Sequence, residues 1–425
     1  MQNTMEVDLS KILVDTNLTD EVAATNPSPF RLPVRKRSES GEHSLLGDSI
    51  FLTFDPSIGK ISAKNRGLWL NPFSSSSAKQ ISYTFGQYLA LGGDFYGDPA
   101  WPISDADDPI YQFGKNWVSL VNAAERTAET NDILSIMKEE IDGLQKAIAA
   151  PSEQRSDAIA KFYDEEGDSL SVKWAKATNY RYYWLASNNW DHFGKGALKS
   201  YMAGHHNAIQ SALNARNSQN KDYARKLLEE AYARDAFACH FLTDIFSAGH
   251  MRTPRKELHA YSTATVAGFA YGAVAGDFLA RAMHDEDSEN GLHVVNKQKD
   301  SWIAYGDKKL YATENAENSD LCVKALQASV DEVWAAFCSE PRGPFQAPFA
   351  ALDLVPDLDA IAKTTRNSSP LFKVGSGTLL LRADFSDRYS TEYVSKFDPV
   401  VILSKLKLSK AFAQLDIWKY FPFAG

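Results

Sequence analysis

Cysteine is scarce: Cys239, Cys322 and Cys338 are the only three in 425 residues. Three cannot build a disulfide framework, so the fold must rest on packing. Cys239 sits beside His240 in an apolar helical stretch and reads as a core residue, and Cys322 and Cys338 share an expected helix and are not expected to pair. No run of eighteen apolar residues occurs, which excludes a transmembrane helix. The opening MQNTMEVDLSKILVDTN has neither the basic nor the apolar region of a Sec signal, so synthesis as a soluble cytoplasmic chain is expected. Excess positive charge is missing too. A net charge of −9 opposes nonspecific nucleic-acid binding, and no nucleic-acid partner is expected, although bound divalent ions would reverse the local field for a phosphate substrate. There is no internal repeat and no low-complexity tract beyond Ser74–Ser77.

What is present is a core-forming chain, 44% hydrophobic and 12% aromatic, long enough for one large domain and an extension. Residues 1–30 end in Thr25-Asn26-Pro27-Ser28-Pro29 and read as an arm. RLPVRKR (31–37) reads as a solvated loop or an anionic-surface contact. Helical patterning is expected near 80–91, stopped by Gly92-Gly93, and then across most of 108–180, 221–244, 268–291 and 320–339. A hairpin is expected over 291–312, a strand over 377–385, and a last helix in KLKLSKAFAQLDIWKY. The chain is thus expected to be mainly α, with a catalytic domain at 31–300 and a smaller mixed α/β extension at 301–425.

Only nine histidines are present, and two of them bracket an aspartate in residues 231–255, AYARDAFACHFLTDIFSAGHMRTPR. His240 and Asp244 are four apart on a helical pattern and share a face. Such a pair can point at one zinc ion, or it can be a core histidine bonded to its neighbour. Further candidate ligands are His43, Asp94 directly after the two glycines, His192, and His284 with the acids Asp285, Glu286 and Asp287. Asp94 and Asp98 also suit plain turns.

Taken in order, these residues resemble the zinc-dependent phospholipase C family, which shares its trinuclear zinc fold with the S1/P1 nucleases. The motifs are H-S-L-L at His43, G-G-D-F-Y-G-D-P around Asp94, W-D-H-F at His192, and H-F-L-T-D-I-F-S-A-G-H from His240 to His250. The likeness covers roughly residues 40–290. It implies a multi-helix catalytic domain with two or three zinc ions. The first would be held by Asp94, His192, His240 and Asp244, and the second by His250, His284 and either Asp287 or Glu286. The third would have His43, with Asp244 as a bridge. Two departures stand out. The family's carboxylate four residues after the last histidine is replaced by Ser288, which leaves His259 as a competing ligand. The N-terminal tryptophan that completes the third site in relatives has no counterpart before Trp69, so that ion is expected to be weaker, completed otherwise or missing.

The resemblance also implies a reaction. Phosphodiester hydrolysis needs a hydroxide at neutral pH and neutralised phosphoryl oxygens, which clustered divalent ions supply. The expected substrate is a glycerophospholipid at a membrane surface, phosphatidylcholine foremost, cleaved to diacylglycerol and a phosphorylated headgroup. Asp94 is expected to take the proton and Phe95 to contact the headgroup, while Asn189 stands where relatives carry a second aromatic. Arg252 and Arg255 would steer the phosphate or stay solvated. A single-strand nuclease and a metal-stabilised binding protein are the alternatives. Relatives are usually exported, so delivery into another cell by a specialised secretion system, as a bacterial effector, is expected here. The extension with its WKYFPF end would dock on membrane or pack in the core.

Overall fold

Helical periodicity dominates the sequence, and helices dominate the computed structural model, which describes residues 40–69, 81–98, 100–126, 128–266, 269–338 and 349–408. Helix α1 (Ser40–Asp48) leads into two small hairpins, β1 (Phe51–Thr53) with β2 (Lys60–Ser62), and β3 (Leu68–Trp69) with β4 (Ser82–Tyr83). Then come α2 (Phe85–Leu91), α3 (Pro109–Arg126), α4 (Ala128–Ile148), α5 (Ser152–Ala177), α6 (Arg181–Ser187), α7 (Gly194–Arg216) and α8 (Lys221–Asp244). The short α9 (Ala248–Met251) precedes α10 (Arg255–Thr265) and α11 (Phe269–Asn290). An antiparallel hairpin follows, β5 (Leu292–Val295) with β6 (Ser301–Ala304), and then α12 (Ala316–Cys338) and α13 (Leu358–Ile361). The chain closes with an antiparallel three-stranded sheet, β7 (Phe372–Gly375), β8 (Thr378–Arg382) and β9 (Tyr393–Val394), and α14 (Pro399–Lys405). The expected arm, RLPVRKR, the serine tract and the chain after Leu408, with WKYFPF, lie outside the described residues. No helix among the described residues is long and apolar enough to cross a membrane.

Residues 221–244 contain neither glycine nor proline, and the Asn220 side chain caps their start by accepting from the Tyr223 N–H. The four-residue link 217–220 folds α8 back along α7 as a helical hairpin. Helices α2 and α12 also cover α8, and from Ala231 to Met251 every residue but Arg234 is buried. A helix buried on all sides can carry charge only where it is paired, so Asp235, His240 and Asp244 each need partners.

The main core crosses the boundary expected at residue 300. Leu292, Val294, Trp302 and Ala304 of the β5–β6 hairpin, and Leu321, Ala325 and Val330 of α12, share one apolar cluster with Leu228, Phe237 and Leu242 of α8. A second cluster joins Leu258, Leu279 and Met283 of α10 and α11 to Leu371, Phe372, Leu381 and Leu403. The mixed α/β part is thus the closing sheet with α14. Two buried ion pairs fasten α11 on this side. Arg382, fully buried, meets both Glu286 oxygens at 2.9 and 3.1 Å, and Arg252 makes a two-pronged contact with Asp287 at 2.7 and 2.8 Å.

Beneath α8, His205 of α7 is wholly buried between Asp235 at 2.6 Å and Glu332 of α12 at 3.1 Å. Burial works against its charge, but Asp235 and Glu332 outweigh burial and push the imidazole up to about 9. A pKa raised on folding gives stability that is complete below about 6.5 and lost as pH climbs through 9. Unfolding free energy is expected to fall by roughly 3 kcal/mol between pH 6.5 and 10 through this group. Because His250 is also raised to about 9, denaturant titrations across that window should show a slope in the wild type and a clearly shallower one in His205→Gln; an equal slope in both would overturn the assignment.

Candidate metal centre

The site grows from the end of α8. His240 and Asp244 lie one turn apart, and three residues after the helix stops α9 begins and carries His250. Gly249 makes this possible, because a Cβ there would come within 2.5 Å of the His284 ring and 2.4 Å of Ser288 Oγ on α11. A second glycine does the same from the other side. Gly93 (φ +61°) has its backbone against the His240 and His192 rings, where a Cβ would lie 2.5 and 2.7 Å from ring carbons, and Asp94 follows it into the cleft.

Asp244 is the hub. Its Oδ2 faces His192 Nδ1 at 2.9 Å and His240 Nε2 at 3.6 Å; its Oδ1 faces His250 Nδ1 at 3.4 Å and His43 Nε2 at 3.7 Å. The 2.9 Å approach lacks hydrogen-bond geometry at Oδ2. His192 Nδ1 and His240 Nε2 are themselves 3.1 Å apart, and Asp94 Oδ1 lies 3.9 Å from His240 Nε2. Burial opposes ionisation of Asp244, but the surrounding histidines hold its carboxyl well below the usual range. At His240 burial prevails, and the imidazole is held neutral, as a ligand must be.

The outer hydrogen bonds suit ligands too. His240 Nδ1 lies 3.0 Å from the Leu89 carbonyl, and His43 Nδ1 lies 2.8 Å from Thr243 Oγ1, which itself donates to helix carbonyls. His284 Nδ1 faces Asp285 Oδ1 at 3.0 Å. Each of these contacts places the ring proton on Nδ1 and leaves the Nε2 lone pair directed inward, the arrangement found around bound metals. Three groups of side chains could each hold an ion: His192 with His240 and Asp244; His43 with Asp94 and His240; and His250 with His284 and Asp307.

Asp307 was not expected. Its Oδ2 lies 2.7 Å from His284 Nε2 and 3.2 Å from His250 Nε2, and both imidazoles hold it well below the usual carboxylate range despite its burial. Glu286 and Asp287 are not ligands of that group, since their oxygens go to Arg382 and Arg252. The cause lies at Ser288, the position expected to bear a carboxylate. Gly306 packs so tightly on it that a Cβ at Gly306 would fall 2.0 Å from Ser288 Oγ, and the Gly306 N–H donates to the Ser288 carbonyl at 3.1 Å. That contact sets the next residue, Asp307, beside the histidines. Gly306-Asp307 is one of six Gly-Asp steps in the chain, so nothing in the local sequence singles Asp307 out.

Other expectations change as well. Phe95 is fully buried, edge-on to Trp174 and stacked on Tyr182, so it cannot touch a headgroup; Tyr182 and Phe193 are aromatics that line the cleft. Arg252 and Arg255 are neither solvated nor aimed at a phosphate. Arg252 holds Asp287, and Arg255 holds Asp277, Asn189 and two carbonyls on α6. His259 joins that Asp277 pair at 3.1 Å, away from the histidine groups. The cleft is also lined by Asn189, Arg281 and Lys308. No family model, curated protein or solved structure matches the chain.

Two substitutions separate the ligand from its neighbour. Asp307→Ala is expected to lower the metal content of dialysed protein by about one ion. Asp287→Ala should keep the metal content but cost about 3–5 kcal/mol of stability, because Arg252 is left buried and unpaired. Elemental analysis and chemical denaturation of both variants check this, and equal metal loss in the two would refute the placement.

Proposed function

We propose that the chain is a metal-dependent hydrolase of glycerophospholipid phosphodiesters, phosphatidylcholine foremost, using two or three zinc ions. Five imidazoles and three carboxylates converge in three adjoining groups on one cleft, and this convergence carries the proposal. Nitrogen and carboxylate donors of this kind suit zinc, and His192, His240 and Asp244 together with Asp94 would hold one ion. His250, His284 and Asp307 would hold another, and His43 with Asp94 and Asp244 would serve a third. Bound there, the ions would supply hydroxide at neutral pH and neutralise charge on the phosphoryl oxygens.

The chain's own residues account for the rest. Asp94 keeps its side chain open to the cleft, where a carboxylate oxygen not engaged by an ion can accept a proton. As the bond from water to phosphorus forms and the bond to the glycerol oxygen breaks, Asp94 takes the proton of the water and returns it to the departing diacylglycerol. Arg281 and Lys308 line the same cleft and offer cationic contacts to the phosphoryl oxygens, and Tyr182 offers an aromatic face to a quaternary ammonium headgroup. The net charge of −9 favours this substrate over a polynucleotide.

Monomeric dihexanoyl phosphatidylcholine should release phosphocholine, and a chelator should abolish the release. Asp244→Ala should lower kcat/KM at least about a thousandfold, ~4 kcal/mol. Nucleotide release from single-stranded DNA in its place would overturn the substrate class, and neither activity would overturn the hydrolase.

A further inference from the structure

Beside the metal cleft lies a much larger groove of about 1120 Å³, open to solvent. One wall comes from the start of α7 and from α9 and α10, with Trp190 just ahead of them; the other comes from α13 and the closing sheet. Phe193 and Arg255 line both the groove and the metal cleft, so the two adjoin and share a wall. The volume exceeds the roughly 300–1,000 Å³ of a small-molecule site.

Its lining is amphipathic. Leu358 and Val374 give it apolar surface, backed by the buried Met251, Ile361 and Phe372, and Tyr389 and Tyr393 stand with them on the sheet side. Val374 and Tyr389 are 48% and 66% exposed, so the sheet side of the groove presents apolar and aromatic surface to solvent. Lys195, Lys199, Lys256, Lys363 and Lys373 also line the groove, against Asp105, Glu257 and Asp359. Lys195 is paired with Asp359 and Lys256 with Asp105, and the two arginines are matched by Asp287 and Asp277, which leaves Lys199, Lys363 and Lys373 against Glu257 as a positive rim on a chain of net charge −9.

We propose that this groove receives the hydrophobic body of a long-chain phospholipid, with its lysine rim on an anionic leaflet, while the phosphodiester reaches the adjoining metal centre. The proposal rests on the phospholipase reading and adds to it a substrate class, long-chain lipid in a negatively charged surface, and a role for the closing sheet as a wall of the substrate site. Aliphatic lining suits acyl chains, aromatic side chains with one wet end suit a membrane interface, and lysines suit anionic headgroups. A nucleic-acid strand would need a denser cationic track than a surplus of two charges.

The test compares wild type with Val374→Glu/Tyr389→Ala and with Lys363→Glu/Lys373→Glu, folding being checked by circular dichroism. Flotation with phosphatidylcholine vesicles, with and without 30% phosphatidylglycerol, reads binding; turnover of those vesicles against monomeric dihexanoyl phosphatidylcholine reads the groove's share in catalysis. The expected result is stronger wild-type binding to the anionic vesicles, and at least a tenfold fall in the ratio of vesicle to monomer turnover in the first variant. In the second, the preference for anionic vesicles should be lost. Unaltered ratios and unaltered flotation in both variants would overturn the groove while leaving the hydrolase intact. If no phospholipid is cleaved at all, the function proposal fails, and flotation still decides the groove. Flotation no stronger than on neutral vesicles, with single-stranded DNA bound in a manner sensitive to the same variants, would assign the groove to nucleic acid instead.

Discussion

A carboxylate buried at the end of a helix, with four imidazoles around it, is the arrangement on which the rest of this molecule depends. Asp244 has almost no contact with water, yet histidines hold it ionised, and the four imidazoles around it come from three separate stretches of chain. Left alone, that charge would cost several kcal/mol. Everything near it can be understood as bringing partners within reach: the glycines at 93 and 249 that let backbone and helix close in, and the carbonyls and hydroxyl that turn each ring. Packing around α8 supplies the rigidity, because a helix covered on all sides cannot shift one ligand without shifting its neighbours.

The second layer of organisation is the use of acids on α11. Four consecutive residues, His284 to Asp287, hold one imidazole and three carboxylates, and the fold gives each acid a different job. Asp285 orients His284, while Glu286 and Asp287 neutralise buried arginines that tie the helix to the closing sheet and to the end of α9. The acids are therefore spent on holding the wall that carries the histidine, and the ligand for that wall is drawn from elsewhere. The closing sheet is in this way coupled to the metal centre through α11.

Much of this was legible from the residues. The spacing of His240, Asp244 and His250 follows from helical period and a glycine-containing break, and both held because the local sequence leaves no competing structure. The helices at 221–244 and near 268–291 were legible for the same reason. His43, Asp94 and His192 come from distant stretches and could be grouped only through resemblance to a family pattern; the structure brings them together around Asp244 and His240. Three things could not be read. Phe95 points into the core, where Trp174 and Tyr182 receive it, and neither partner is near it in sequence. The acid beside His284 was misassigned because sequence proximity says nothing about which arginines arrive, 96 residues away at Glu286 and 35 at Asp287. The division at residue 300 failed because the hairpin spanning it is apolar on the face that meets α8's core.

The contact between Ser288 and Gly306 has a consequence for how such a centre changes over time. The two positions form a lock in which a small side chain on the helix and a missing one on the hairpin admit each other, and the adjacent Asp307 enters with the hairpin. A long acid at 288 would expel the loop and its aspartate together, so the ligand cannot migrate between helix and hairpin by single steps that each keep the site whole. The centre must pass through a form with either two competing acids or none.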